Sequence, residues 1–312
     1  MATTPAMTVM DLEYADDTAL IARTTEIATR LLRATEAEAA KYGLKLNRTK
    51  TCRLAYNTDE PVKFADGAEV PRVTDALYLG TTMNDRGDPA PEIGMRISRG
   101  MGVCRALKPL WGTSTLGQKL ALRVLRSCVF SALTYGLHTI FMTPVQERKL
   151  DAAQMRFVRW ATRTRATYGA KLIGTEAVTN RQLAEKTGQK PLSKEVERSR
   201  YRLLGHVLRR DGADTMRAVT YDRFGQPKVL SGGARIGVAR KSWAVEVMKG
   251  ATDILRSQGR LSRAGAAPTG HEYAQVTALA QHREAWSSWV DQWFRELDWR
   301  DFTDRSSLEP QM

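Results

Sequence analysis

Met7-Thr8-Val9-Met10-Asp11-Leu12-Glu13-Tyr14, Ala15-Asp16-Asp17, Thr18-Ala19-Leu20-Ile21-Ala22 is the stretch that sets the fold of the first part of this chain. Two strand-like apolar runs flank a pair of acids, which predicts a β-hairpin with carboxylates at its tip. Paired acids on a rigid turn can hold Mg²⁺ against substrate phosphates. Aspartate also caps its own backbone in ordinary turns, so a purely structural tip stands beside the metal-bearing one at this point.

Downstream of the hairpin, Thr24 or Thr25 can cap a helix whose first turn holds Glu26. Ile27, Leu31, Thr35 and Ala39 define its inner face with Leu32 beside it, and Tyr42-Gly43 ends it, the glycine lying just past the last turn. Residues 44–56 read as extended chain with a turn near Asn47. Asp66-Gly67, between Val62-Lys63-Phe64 and Val70, signals a second hairpin. Ala76-Leu77-Tyr78-Leu79-Gly80 is a further short strand. Asn84-Asp85-Arg86-Gly87-Asp88-Pro89 is a loop and the first expected domain boundary.

Beyond it the apolar period becomes helical. Ile93, Ile97, Met101, Cys104 and Trp111 share one face, with Arg96, Arg99 and Lys108 off it. A second helix is expected from near Ser114 past Leu120, Val124 and Cys128 towards Tyr135, carrying Lys119, Arg123 and Arg126. A third, from about Glu147 to Arg163, turns Leu150, Ala153, Phe157, Trp160 and Ala161 inward and Arg156, Arg159 and Arg163 to another side. A fourth follows Pro191 with Ser193 as its N-cap and Val196, Leu203, Leu204 and Val207 as its stripe. Residues 221–240 read as a basic loop. Helices from about Lys241 to Gln258 and around Trp286, Trp289 and Trp293 complete the chain.

The net charge of +14 is gathered in one segment. Residues 91–210 hold 23 Lys/Arg against 7 Asp/Glu, whereas residues 1–90 are net negative and 211–312 nearly neutral. A field concentrated in one block points to a polyanion, most simply a nucleic acid backbone, more than to general solubility. The three cysteines, Cys52, Cys104 and Cys128, form no C-x-x-C pair, which argues for a reducing compartment and against structural zinc. No signal peptide or transmembrane segment is read, so an intracellular site, nuclear or cytoplasmic, and no membrane partner are expected.

Tyr14-Ala15-Asp16-Asp17-Thr18-Ala19-Leu20 resembles the YADD box of reverse transcriptases. Gly43-Leu44-Lys45-Leu46-Asn47, followed by Lys50-Thr51, resembles the next block of the non-LTR (LINE-type) retrotransposon enzymes, and Leu77-Tyr78-Leu79-Gly80 resembles their primer-gripping hairpin. The stretch from Leu120 to Tyr135-Gly136 resembles their thumb helix. Arg202-Leu203-Leu204-Gly205-His206-Val207, Arg235-x-Gly237-x-x-Arg240-x-x-Trp243 and Arg283-x-x-Trp286 are similar to later landmarks. The resemblance implies Asp16, Asp17 and Lys50 as catalytic residues, with Mg²⁺ on Asp16 and Asp17. It implies a primer grip at Tyr78, Leu79 and Gly80, and template–primer contacts from Arg96, Arg99, Lys108, Lys119, Arg123, Arg126, Arg156, Arg159 and Arg163. RNA and DNA would be the partners and RNA-directed DNA polymerisation the parent activity.

In that family the fingers, other palm strands and first catalytic aspartate precede the YADD box, and Tyr14 has thirteen residues before it. The chain is therefore expected to correspond to the C-terminal part of such an enzyme and to be inactive alone, unless a separate chain carries the missing palm and fingers. The rival readings are a non-catalytic RNA- or DNA-binding protein and an inert remnant. The expected fold class is α+β: a partial palm at 1–88, a helical thumb-like domain at 89–170, and a mostly helical region at 171–312 with the basic loop at 221–240. His138, His206, His271 and His282 show no metal-like spacing. The tryptophan stripe reads as a buried helix face before it reads as a base-stacking platform.

Overall fold

The computed structural model describes residues 10–112, 117–165, 177–228, 242–261 and 268–297. Residues 7–9, the expected helix start at Ser114 and the landmarks Arg235, Gly237 and Arg240 lie outside them. The fold is α+β and mostly helical, with three two-stranded sheets among the described residues. It divides into two compact units, Met1–Glu92 and Ile93–Met312. The second unit runs across the boundary expected at residue 170.

In the first unit, β1 (Asp11–Tyr14) and β2 (Asp17–Leu20) form the expected antiparallel hairpin. Its register places Leu12 opposite Ala19 and Tyr14 opposite Asp17, and Ile21 N–H donates to the Met10 carbonyl. Helix α1 (Thr25–Lys41) starts where the Thr24 hydroxyl accepts from Ile27 N–H. It ends in a Schellman motif: Gly43, at φ +72°, donates to the Ala40 carbonyl and Leu44 to Ala39. The buried face centres on Leu32 rather than Leu31, packing with Val62, Phe64 and Val70, and with Ala28, Leu46 and Leu20 at the margin. Val62 and Val70 belong to the expected second hairpin, whose turn holds Gly67 at φ +89°. β3 (Arg53–Leu54) pairs in parallel with β4 (Arg72–Val73). β5 (Asp75–Tyr78) and β6 (Thr81–Asn84) form a third hairpin, turned by Leu79-Gly80.

The second unit is built from helices around two buried clusters. Helix α2 (Ala90–Ala106) and the short α3 (Lys108–Gly112) replace the single helix expected through Trp111. Pro109 is the reason: it has no N–H for the Arg105 carbonyl, and its ring would collide with that turn. The Trp111 indole still reaches back to the Cys104 carbonyl, at 3.0 Å. Helices α4 (Gln118–Val124) and α5 (Ser131–Thr134) are joined through a π-helical stretch, Leu125–Phe130. Around it Ser127, Ser131 and Thr134 hydroxyls donate to carbonyls four residues back. Such back-bonding competes with the regular ladder. Gly136, at φ +75°, closes the run.

Helix α6 (Pro144–Thr162) begins with a capping box between Thr143 and Gln146. Trp160, expected inward, is exposed. Helix α7 (Asn180–Thr187) leads to α8 (Leu192–Arg209). Ser193 is not the N-cap of α8: it lies inside the first turn, and α6 satisfies the free donors there. Asp151 accepts from Ser193 N–H and hydroxyl at 2.8 and 2.7 Å, and Gln154 accepts from Leu192 N–H. Burial pushes the Asp151 carboxyl up to about 6, against the hydrogen bonds from Ser193.

Helix α8 is the spine of the second cluster; the short α9 (Thr215–Thr220) leads to its Tyr221, and α10 (Trp243–Ser257), α11 (Gly270–Gln281) and α12 (Arg283–Glu296) complete it. Trp286, Trp289 and Trp293 are all buried on the inner face of α12. The Trp286 indole donates to the Tyr201 carbonyl and Trp289 to Gln258. Glu272, fully enclosed, closes the capping box of α11 with Thr269 and takes a two-pronged hydrogen bond from Arg256. That guanidinium holds its carboxyl down to about 2.

Candidate nucleic-acid interface

The acidic hairpin is a two-residue turn: Ala15 and Asp16 sit between the paired Tyr14 and Asp17. Ala15 is held at φ +54°, a region that costs a residue with a Cβ about 1–2 kcal/mol. Alternation puts Leu12, Tyr14, Asp17 and Ala19 on one side of the ribbon, and Met10 and Ile21 extend that side. Its large apolar side chains are exposed, Leu12 at 42% and Tyr14 at 66%, while Leu20 on the other side reaches the small core. Asp16 and Asp17 are both exposed.

Tyr78 joins this hairpin to the one turned by Leu79-Gly80. Its hydroxyl donates to the Leu12 carbonyl at 3.1 Å. Leu79 and Gly80 have φ of +48° and +78°, as a type I′ turn requires, so the tip of this hairpin also holds a side-chain-bearing residue in a strained conformation. Lys50 is exposed in the turn closed by Asn47, and no ion pair joins it to Asp16 or Asp17. Among the described residues no group of three or more His, Cys, Asp or Glu side chains is gathered to hold a metal. Asp16 and Asp17 would supply only part of the oxygen shell of a Mg²⁺ ion, the rest of which would have to come from water and substrate phosphates.

The basic residues of the second unit divide by what they touch. Arg96, expected off the apolar face, is buried at 2% exposure, its guanidinium 4.7 Å from the Tyr135 ring centre. Another element is the cause: α2 packs a second side as well as the Ile93 face, and Gly100 comes so close to Leu133 of α5 that a Cβ would lie 2.7 Å from it. Arg159 donates to the Val178 and Arg165 carbonyls and to Asn180, and Arg163 to the Trp111 carbonyl, so both bind the chain's own backbone. Arg126 is paired with Glu195. Arg99, Lys108, Lys119, Arg123 and Arg156 are exposed. Of these, Lys119 and Arg123 lie one turn apart on α4 beside the exposed Leu120, neither in an ion pair among the described residues.

Residues that the periodicity did not single out join them. Arg105, Arg148 and Lys149 are exposed and likewise unpaired among the described residues. The signal for them was only their place off the apolar stripes of α2 and α6. His206, beside the stripe of α8, is exposed and accepts from Arg210 at 3.1 Å. Arg202 of the same landmark is spent on Asp291, and Gly205 and Trp286, from two of the late landmarks, meet face to face in the core. Gly205 and Trp286 thus serve packing. Among the described residues no helix is long and apolar enough to cross a membrane.

The fold and its surface define a mostly helical α+β protein whose second unit presents unpaired cations. Neither a protein-family model nor a solved structure matches the chain. It is similar to a transposon-derived protein of Caenorhabditis elegans, 28% identical over 131 residues. The match covers 40% of this chain and about half of that relative, 47% of its length.

Proposed function

We propose that this is a nucleic-acid-binding protein of retroelement origin, derived from a non-LTR reverse transcriptase and lacking polymerase activity by itself. The observation that carries the reading is the set of exposed, unpaired cations on the Ile93–Met312 unit, Lys119 and Arg123 foremost. An unpaired surface cation is worth little to folding, whereas each one laid against a phosphate releases a counterion. The similarity to a transposon-derived protein and the tight turn under Asp16 support the ancestry. The parent activity is RNA-directed DNA polymerisation, and template–primer in the nucleus or cytoplasm is the natural partner. The exposed apolar face of β1–β2 is where further palm strands would pack.

Binding to labelled RNA and DNA should weaken steeply with salt. Lys119→Ala/Arg123→Ala should lower the slope of log affinity against log salt by about one per residue removed, for every sequence alike. An unchanged slope would sink the assignment of these two residues. In a primer-extension assay with template–primer, dNTPs and Mg²⁺, no incorporation above background is expected. Incorporation that disappears in Asp16→Ala would overturn the non-catalytic part of the reading.

A further inference from the structure

The first part of the 221–240 stretch is a built turn. Tyr221 and Pro227 pair as an isolated bridge, with Asp222 N–H donating to the Gln226 carbonyl at 2.9 Å. One Asp222 carboxylate oxygen accepts from Phe224 and Gln226 N–H, both at 2.8 Å. Tyr221 is 1% exposed, and its hydroxyl donates to the Ala244 carbonyl at the start of α10. Gly225, at φ +81°, lies so close to α11 that a Cβ would sit 1.9 Å from the Thr277 hydroxyl, and Gln226 crowds Gly270 in the same way. The base of the turn is thus pinned to two helices.

Its tip is left in water. Phe224 is 56% exposed, and the Arg223 guanidinium lies 4.6 Å from the centre of its ring. A large aromatic fixed in solvent on so rigid a support gains nothing for folding. Arginine stacked on one face of the ring leaves the other face open and keeps its own donors free for phosphate.

We propose that Arg223 and Phe224 form a stacking site for an unpaired base of single-stranded RNA or DNA. The proposal rests on the nucleic-acid reading above and adds to it a preference for unpaired strands. Charge favours this occupant over a protein surface: the unit that holds the turn, Ile93–Met312, carries 37 Lys/Arg against 19 Asp/Glu, and cations contribute to single-strand binding along with stacked aromatics. Stacking tolerates any base, so the site would sense strandedness and not sequence.

The test measures affinity of the full chain for a fluorescein-labelled oligoadenylate and for a duplex of the same length. Phe224→Ala should weaken oligoadenylate binding about tenfold to a hundredfold. Duplex binding should change less than about twofold, since that contact is electrostatic. Phe224→Trp should restore the difference, and 2-aminopurine in the oligonucleotide should lose its quenching in Phe224→Ala alone. Because the side chain is exposed, circular dichroism of the variants should match the wild type. Equal loss on both ligands, or no loss on either, overturns the stacking site while leaving nucleic-acid binding intact. Failure of the wild type to bind either ligand overturns both readings.

Discussion

Gly205→Ala is expected to destabilise the second unit by about 3 kcal/mol, although alanine is the better helix former. In the middle of α8 the exchange should gain up to about 1 kcal/mol from propensity alone. The neighbour reverses the sign. A Cβ at 205 would lie 2.2 Å from Trp286 Nε1 and 2.4 Å from Cδ1. Trp286 is 1% exposed, its indole donates to the Tyr201 carbonyl at 2.8 Å, and its ring centre is 4.7 Å from that of Trp289. It can yield only by breaking that hydrogen bond and moving a second buried tryptophan. Overpacking costs about 1–3 kcal/mol and an orphaned buried indole about 1–3 more. The midpoint of thermal unfolding should fall by about 6–12 °C. Gly102→Ala in α2 is the opposite case, since its Cβ meets nothing within 4 Å, and it should be neutral or stabilising. Equal shifts for the two variants would refute the close approach of α8 to Trp286.

The same pair shows what the sequence discloses and what it withholds. The stripe of Trp286, Trp289 and Trp293 announces a buried face through its spacing. Nothing in the spacing says that Gly205 is what the first tryptophan meets. Local rules succeed where the cause is local: Thr24 caps α1, Gly43 ends it, and Asp66-Gly67 turns its hairpin. They fail where another element supplies the partner. Ser193 has the chemistry of an N-cap, yet the helix already begins at Leu192, and Gln154 and Asp151 of α6 accept from the first-turn N–H groups of Leu192 and Ser193. Arg96 carries a charge that periodicity assigns to the outside, yet Tyr135 offers its ring and Arg96 goes in.

The candidate site divides in the same way. The acidic turn is local and was legible, except that only Asp16 lies in the turn and Asp17 opens β2. Which cations remain unpaired depends on distant carbonyls and carboxylates, as Arg159 and Arg163 show. The stacking turn was hidden because residues 221–240 have no period. Its signature was nevertheless present: Asp222 at the first position and Gly225 at the fourth mark a type I turn.

Asp151→Asn should stabilise the protein at neutral pH while removing part of its pH dependence. Asp151 accepts two hydrogen bonds from Ser193 at the start of α8, a setting that favours the carboxylate. Burial, with Glu147 one turn away, outweighs them and lifts its carboxyl to about 6. The sign follows from where the proton is held. Below about pH 4 the group is protonated folded and unfolded alike. Between about 4 and 6 the unfolded chain has released the proton and the folded chain keeps it, so stability falls as pH rises through that window. Two pH units correspond to about 2–3 kcal/mol lost by neutral pH. Asparagine carries no charge to bury, and its carbonyl can still accept from Ser193 N–H while its amide donates to the Ser193 hydroxyl. Urea midpoints of wild type and variant should therefore lie close together at pH 4 and separate by pH 7.5, the variant being the more stable. Asp151→Ala should be weaker than Asp151→Asn at both values, because Ser193, 4% exposed, would keep a buried N–H with no acceptor. Parallel curves for wild type and Asp151→Asn would show that this carboxyl is ionised in the folded protein as readily as in the unfolded one, and that the contact between α6 and α8 is looser than its hydrogen bonds imply.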